Sequence, residues 1–133
     1  MSDVTGLPIL VISPRWQTRA LLAGQLGETC DRQVVSAPGV NEALGLVKIG
    51  GVNPSLVIVD AGRKVTPEGV ERLLDGLPGV PLLLIASALR RQAFEPLRKR
   101  CAAYLVRPVS IGRVARIAAR VLVLRRDSHL GHG

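Results

Sequence analysis

Three short apolar runs constrain the fold of this chain more than any other feature. They are "LPILVIS" (7–13), "SLVIVD" (55–60) and "VPLLLIA" (80–86), each bounded by turn residues. Their apolar residues follow one another without alternation, which is typical of strands covered on both faces in a parallel sheet. Two weaker runs, "RQVVSA" (32–37) and "AAYLVR" (102–107), follow the same logic. The sequence therefore predicts five strands.

Helical patterns occupy the intervals between these strands and follow the last one. Thr66 and Pro67 suit the N-cap and the first position of the third helix. Pro96 should shorten or distort the fourth helix. Strands that alternate with helices predict an α/β fold, a three-layer sandwich built on a parallel sheet. The predicted helices span residues 15–28, 39–51, 66–79, 90–100 and 110–126.

The length and composition of the chain fit one globular domain. With 133 residues and 47% hydrophobic content, the chain can bury a core. We expect the domain to span residues 7–126, with flexible tails at 1–6 and 127–133. Cys30 and Cys101 form no C-x-x-C pair and are predicted to be reduced thiols of a cytoplasmic protein. No apolar run approaches the roughly 20 residues that span a bilayer. The apolar face of the last predicted helix is needed for the core and not for a membrane surface, so no membrane interaction is expected.

Asp60 is the first candidate site residue. It ends the run "SLVIVD", and no other acidic residue lies within seven positions on either side. In open parallel sheets, ligands bind beyond the carboxyl ends of the strands. A lone carboxylate at such a position is solvated, paired or chemically used, so Asp60 marks a predicted site.

The motifs of common enzymes are missing from the sequence. There is no G-x-x-x-x-G-K-[ST] motif, and no G-x-G-x-x-G motif follows the first strand. There is no G-x-S-x-G motif, and both histidines lie in the predicted C-terminal tail. We therefore expect no ordinary metabolic enzyme, no catalytic residue and no metal site, and phosphoryl chemistry at Asp60 remains to be considered.

Four segments together resemble the receiver domain of bacterial response regulators, including the single-domain chemotaxis type. They are "ILVIS" leading into a helix, "LVIVD", "PLLLIAS" and "AAYLVRP". The resemblance covers about residues 7–125 and implies a flavodoxin-like (βα)5 fold with strand order 2-1-3-4-5. It also implies that Asp60 is the phosphoacceptor position, that Tyr104 is the switch aromatic, and that the Arg107–Pro108 peptide is cis.

The chain departs from the family pattern around Asp60. Where receivers have two acids that hold Mg²⁺, this chain has Ser13 and Pro14. The Ser/Thr that follows strand 4 in the family aligns with Ala86. Ser87 is one residue late and is expected to point to the other side of an extended strand, unless a register slip or a bulge turns it back. Mg²⁺ needs several oxygen ligands and supports phosphoryl transfer. We therefore expect a degenerate receiver, or pseudo-receiver, in which Mg²⁺ is not used.

Arg107 stands where the family has lysine. The planar guanidinium group of arginine can bind a carboxylate through two parallel N–H groups, whereas lysine is a point charge. We hypothesise that Arg107 pairs with Asp60 and holds the site in one state without phosphorylation. In the alternative, Arg107 points to solvent and Asp60 is hydrated.

The positive charge of the chain is concentrated in its last third. Residues 1–85 hold 7 Lys/Arg and 8 Asp/Glu, a net charge of −1, and residues 86–133 hold 11 and 2, a net charge of +9. Such asymmetry indicates an acidic partner, and its alternative is a basic face that only aids solubility. In receivers, this region usually meets partners. The predicted partner-binding basic face consists of Arg90, Arg91, Arg98, Lys99, Arg100, Arg113, Arg116 and Arg120.

Three functions follow from these observations. The first is a stand-alone receiver-like signalling module that binds an acidic protein partner or a sensor kinase, with homodimerisation left open. The second is a conventional phosphorelay receiver that is phosphorylated on Asp60. The third is a basic adaptor for nucleic acid, because phosphate contacts need only Lys and Arg. The third is less favoured, since no aromatic side chains interleave the basic residues for base stacking.

Overall fold

Five parallel strands form the central sheet of the protein. The structure, a computed structural model, describes residues 7–62 and 64–131, with side chains up to residue 125. The strand order is β2-β1-β3-β4-β5, which confirms the predicted flavodoxin-like arrangement. The strands are β1 (Ile9–Ile12), β2 (Val34–Ala37), β3 (Leu56–Ala61), β4 (Leu82–Ala86) and β5 (Ala103–Val106).

The continuous apolar runs are explained by burial on both faces of the sheet. Every residue of β1, β3 and β4 is buried. Alternate residues of each strand point to opposite faces, so Leu10 and Ile12 join one core cluster while Ile9 and Val11 join the other. A strand with two buried faces has no solvated side on which a polar residue is favoured.

Helices cover both faces of the sheet and complete three layers. On one face, α1 (Trp16–Cys30) packs against α5 (Ile111–Gly131). On the other face, α2 (Val40–Lys48) packs against α3 (Pro67–Gly76). The Thr66 hydroxyl accepts a hydrogen bond from the backbone N–H of Gly69 at 3.0 Å, which confirms the predicted N-cap of α3.

The fourth helical region is irregular, as Pro96 predicted. The only α-helical part is α4 (Arg91–Phe94), which lies between the 3-10 turns Ala88–Arg90 and Glu95–Arg100. Pro96 lies in the first turn of the second of these, where a missing backbone N–H is tolerated. Phe94 and Leu97 are buried and attach this region to the core formed with α2 and α3.

The C-terminal helix is longer than the sequence predicted. We expected it to end at residue 126, but α5 continues to Gly131. The flexibility predicted for residues 127–133 stays a prediction. Neither proline nor glycine interrupts the chain between 113 and 130, so no helix-breaking residue ends the helix earlier. The predicted tail at 1–6 and residues 132–133 lie outside the described residues. Among those described, no helix is both long and apolar enough to cross a membrane.

The strand register brings the predicted site residues to one edge of the sheet. Asp60 is paired with Ile85 of β4, and Ala86 is paired with Val106 of β5. Ser13 directly follows β1, and Arg107 directly follows β5. The Arg107–Pro108 peptide bond is cis, as the resemblance implied. The four strand ends therefore present their side chains on the carboxyl edge, where ligands of such sheets bind.

Candidate functional site

Asp60 is the centre of the candidate site, and its carboxylate is buried. The residue is only 3% exposed. The Ser13 hydroxyl donates a hydrogen bond to Oδ2 at 2.7 Å, and Nη2 of Arg107 forms an ion pair with Oδ1. The structure therefore contains the Asp60–Arg107 pair hypothesised from the sequence, and both carboxylate oxygens have a polar partner.

Ser13 belongs to a polar network that fixes the end of β1. Its side chain is fully buried, and its hydroxyl oxygen lies 3.4 Å from the backbone nitrogen of Arg15, which donates to it. Nη1 of Arg19 donates to the Ser13 carbonyl oxygen at 2.8 Å. These hydrogen bonds to the hydroxyl and carbonyl oxygens fix the position of Ser13 and therefore its contact with Asp60.

Arg107 remains a cation beside the carboxylate. Burial lowers the pKa of its guanidinium group, and the nearby Arg15 lowers that pKa further. Arginine nevertheless stays protonated in proteins. The side chain of Arg107 is 28% exposed, so the ion pair is shielded from water mainly on the Asp60 side.

A cavity of about 180 Å³ lies next to this ion pair. Arg15, Thr18, Asp60 and Arg107 contribute its polar lining, and α5 contributes apolar side chains. The cavity is much larger than the roughly 10–15 Å³ that holds one water molecule. A small polar group can therefore approach Asp60, but it meets a carboxylate whose oxygens are already engaged.

The Mg²⁺ ion that the receiver resemblance implies does not fit these groups. Mg²⁺ takes oxygen ligands in near-octahedral geometry, usually carboxylates and water. Within the described residues, no three histidine, cysteine, aspartate or glutamate side chains cluster in a way that could hold a metal ion. Arg107 adds a positive charge next to the Asp60 carboxylate and repels a second cation.

The other departures from the family pattern also lie at this edge. Pro14 is half-buried. A Cβ atom added to Gly62 would lie 3.0 Å from Cγ of Pro14, so glycine at this position permits the close approach of the β3–α3 loop to Pro14. Ala86 is buried and ends β4, whereas Ser87 follows the strand and is half-buried. Among the described residues, the polar partners of Asp60 are Ser13 and Arg107, and Ser87 is not one of them.

Arg90 departs from the prediction that it belongs to an exposed basic face. It is half-buried, and its guanidinium group donates to the carbonyl oxygen of Gly62 and, at 2.8 Å, to that of Val65. It also lies 5.2 Å from the centre of the Phe94 ring. Arg90 thus connects the β4–α4 region to the β3–α3 loop. The spacing of an arginine four residues before a buried aromatic was the signal that could have indicated this inward position.

The remaining residues of the predicted basic face are exposed but differ in their contacts. Arg98 forms a 3.3 Å ion pair with Glu95 and lies 5.4 Å from the centre of the Tyr104 ring. Arg100 forms a 2.7 Å ion pair with Asp75. The other five residues of this face form no ion pair with an acidic side chain in the described part of the chain. They are Arg91, Lys99, Arg113, Arg116 and Arg120.

Tyr104, the predicted switch aromatic, links β5 to α4. Its hydroxyl donates to the carbonyl oxygen of Arg91 at 3.2 Å. The residue is half-buried and packs against the core cluster that contains Phe94. The side chain therefore sits at the boundary between the core and the surface formed by α4 and β5.

Several solved structures share this fold. NtrX from Brucella abortus in complex with ADP aligns with a TM-score of 0.77 at 19% sequence identity, covering 96% of this chain and 29% of that chain. The signal receiver domain of an HD domain-containing protein from Pseudomonas fluorescens Pf-5 aligns with a TM-score of 0.77 at 15% identity, covering 97% and 96%. A member of a family of redox sensors in the streptococci that evolved from two-component response regulators aligns with a TM-score of 0.78 at 16% identity, covering 96% and 56%.

These likenesses extend over almost the whole described chain. This chain spans less than a third of the NtrX chain, because the match covers 29% of it. No protein-family model matches the sequence, and no curated protein matches it significantly. At identities of 15–19%, the structural neighbours establish the architecture and the order of its elements. The chain therefore has the fold of response-regulator receiver domains.

Proposed function

We propose that the protein is a receiver-like signalling module in which the Asp60–Arg107 ion pair takes the place of phosphorylation. It acts by binding other proteins and not by catalysis, it uses no Mg²⁺, and it works in the cytoplasm. The observation that carries this proposal is that Ser13 and Arg107 engage both oxygens of the buried Asp60 carboxylate.

The chemistry of phosphoryl transfer supports this proposal. A phosphoacceptor needs a carboxylate oxygen that can attack phosphorus, and it needs positive charge positioned on the transferring group. Here one oxygen accepts from Ser13, and the arginine charge is already neutralised by the carboxylate itself. A phosphodonor would have to displace one of these partners before it could react.

The contacts of Arg90 give independent support for a site fixed in one state. They hold the carbonyl groups of Gly62 and Val65, in the loop directly after Asp60, against the β4–α4 region. This connection is made by the chain itself and requires no phosphoryl group. The streptococcal neighbour, a redox sensor evolved from response regulators, is a further example of this fold in a different signalling role.

The charge of the chain supports an acidic protein as the partner. The net charge is +8, and the exposed arginines of α5 have no acidic partner among the described residues. Positive potential of this kind increases the rate of association with an acidic surface. A sensor kinase remains a candidate partner, because kinases are the proteins that receivers usually meet.

The intact mass after incubation with a small-molecule phosphodonor and Mg²⁺ tests this proposal. We expect no added phosphoryl group on the wild-type protein, and none on the control variant Asp60→Asn. An added group on the wild type that is lost in Asp60→Asn would overturn the phosphorylation-independent function.

Conventional phosphorylation on Asp60 is the second candidate function. The observation in its favour is the cavity of about 180 Å³ beside the carboxylate, which leaves room for a donor. The same mass measurement separates the two functions, because only the conventional receiver gains a phosphoryl group that depends on Asp60.

A further inference from the structure

The outer side of α5 presents one continuous row of exposed side chains. Arg113, Arg116 and Arg120, which we call the α5 arginines, are all exposed. Their spacing of three and four residues places them on one side of the helix. The opposite side is fixed by burial, since Val114, Ala115, Ala118 and Leu122 lie in the core formed with α1.

The α5 arginines differ from the other basic residues in their local partners. Arg98 and Arg100 pair with Glu95 and Asp75, and Arg90 donates to backbone carbonyl groups. No acidic side chain within the described residues pairs with an α5 arginine. The first turn of α5 also contains no acidic residue. The positive charge of this helix face is therefore not balanced within the described domain.

Two exposed apolar residues follow the α5 arginines on the same side of the helix. Val123 is 56% exposed and Leu124 is 61% exposed, and they follow Arg120 by three and four residues. Val123 also lines a groove of about 310 Å³ between α5 and the C-terminal end of α1, with Cys30, Ala119 and Leu122 in its floor and Asp31 and Arg32 among its polar residues. Charge and apolar surface are thus combined on one face.

We propose that this face binds an acidic amphipathic helix of another protein. Its carboxylates would pair with the α5 arginines, and its aliphatic side chains would cover Val123 and Leu124 and enter the groove beside α1. This inference rests on the protein-binding part of the proposed function and names the chemistry of the partner. It does not depend on whether Asp60 can be phosphorylated.

The charges on this face argue against a second copy of the chain as the occupant. A symmetric pair of α5 helices would place arginines against arginines, and like charges at an interface are strongly unfavourable. Nucleic acid could pair its phosphates with the arginines. It would leave the two aliphatic residues without an apolar partner, and the α5 arginines have no aromatic residue among them for base stacking.

A designed peptide tests the proposal on the full chain. The probe is a fluorescein-labelled helix with glutamates at positions i, i+3 and i+7, followed by two leucines at i+10 and i+11, and its binding is measured by fluorescence anisotropy at physiological salt. The triple variant Arg113→Glu/Arg116→Glu/Arg120→Glu should weaken binding at least about tenfold, because it places like charges together. The control variant Arg98→Glu/Arg100→Glu, which reverses two charges on another part of the surface, should change it by less than about twofold.

Further arms of the experiment separate the sources of binding. The variant Val123→Ser/Leu124→Ser should weaken binding several-fold, and far-ultraviolet circular dichroism checks that each variant is folded. Equal weakening by both arginine variants would overturn the proposal, because it would show general attraction to a basic surface. Tighter binding of an oligonucleotide of equal charge than of the peptide would also overturn it in favour of nucleic acid.

Peptide binding and intact mass are separate measurements, so a failure of this inference can be distinguished from a failure of the proposed function. No binding of the peptide to the wild type overturns this inference, while the absence of phosphorylation in the mass measurement leaves the proposed function standing. Phosphorylation on Asp60 together with selective peptide binding overturns only the phosphorylation-independent function, and the α5 face keeps its assignment.

Discussion

At the residue scale, the Asp60–Arg107 pair is a charge pair that folding must desolvate. Removing two charges from water is costly, and their attraction offsets that cost only when the geometry is good and further hydrogen bonds are present. The Ser13 hydroxyl supplies such a bond at 2.7 Å. Removing one partner leaves the other charge uncompensated. The loss of stability on breaking the pair is therefore larger than the net stability that the intact pair provides.

The variant Asp60→Asn should therefore destabilise the protein by about 3 kcal/mol, at the lower end of the range for a broken buried pair because Arg107 is partly exposed. Urea unfolding gives the difference in the free energy of unfolding. The control is Glu95→Gln, which breaks an exposed pair with Arg98 and should cost less than about 1 kcal/mol. An unchanged urea midpoint for Asp60→Asn would contradict the pairing.

The residues of this site show what a single sequence can predict. Asp60 was identified from its place at the carboxyl end of a strand, where ligands of parallel sheets bind. Ser13 and Arg107 were identified from the resemblance to receiver domains. The direction of the Arg90 side chain was missed, because only its spacing from Phe94 indicated an inward position. Its hydrogen-bond acceptors are backbone carbonyl groups of Gly62 and Val65. Carbonyl acceptors are present at every residue, so they leave no signal in the sequence.

At the scale of elements, the loop after β3 and the region around α4 are connected through one side chain. Arg90 donates to two carbonyl groups of that loop and lies over the Phe94 ring. The backbone N–H of Val65 in turn donates to the Gly62 carbonyl at 3.2 Å, which closes the turn that Arg90 holds. The conformation of the loop therefore depends on a residue about 25 positions away in the sequence.

Replacing Arg90 with alanine should loosen this loop. We expect faster hydrogen exchange at the backbone N–H of Val65 and a loss of about 1–2 kcal/mol in the free energy of unfolding, as for hydrogen bonds with a charged donor. The neighbouring exposed residue provides the control, since Arg91→Ala should leave the exchange of Val65 unchanged. If both variants raise that exchange rate equally, Arg90 does not hold the loop.

The elements themselves were predicted with unequal success for physical reasons. The central strands were predictable because two buried faces require an uninterrupted apolar run. The length of α5 was not predictable, because residues 125–129 are all polar and give no apolar pattern, and no proline or glycine marks an earlier end. The irregular fourth helix was anticipated from Pro96, although the division into two 3-10 turns and α4 was not.

At the scale of the whole molecule, the positive net charge opposes folding. A net charge of +8 creates self-repulsion in the compact state. Salt screens exposed charges strongly and buried pairs weakly, since the screening length is about 10 Å at 0.1 M. Raising the salt concentration should therefore reduce the repulsion among the exposed arginines while the Asp60–Arg107 ion pair stays intact.

We accordingly expect the Tm of the wild-type protein to rise by about 2–4 °C between low salt and about 0.5 M sodium chloride. Differential scanning calorimetry measures this shift. The variant Arg113→Gln/Arg116→Gln/Arg120→Gln should show a smaller rise, because its surface repulsion is already reduced. A Tm that falls with salt would mean that net attraction, not repulsion, dominates the charges of this fold.

The ion pair at the end of β3 has a consequence for how such a module would carry information. Under the proposed function, the site is set when the chain folds, so signalling would need neither a phosphorylation step nor a dephosphorylation step. The strength of its signal would then follow its copy number, and a cell would regulate it through synthesis and degradation of the protein.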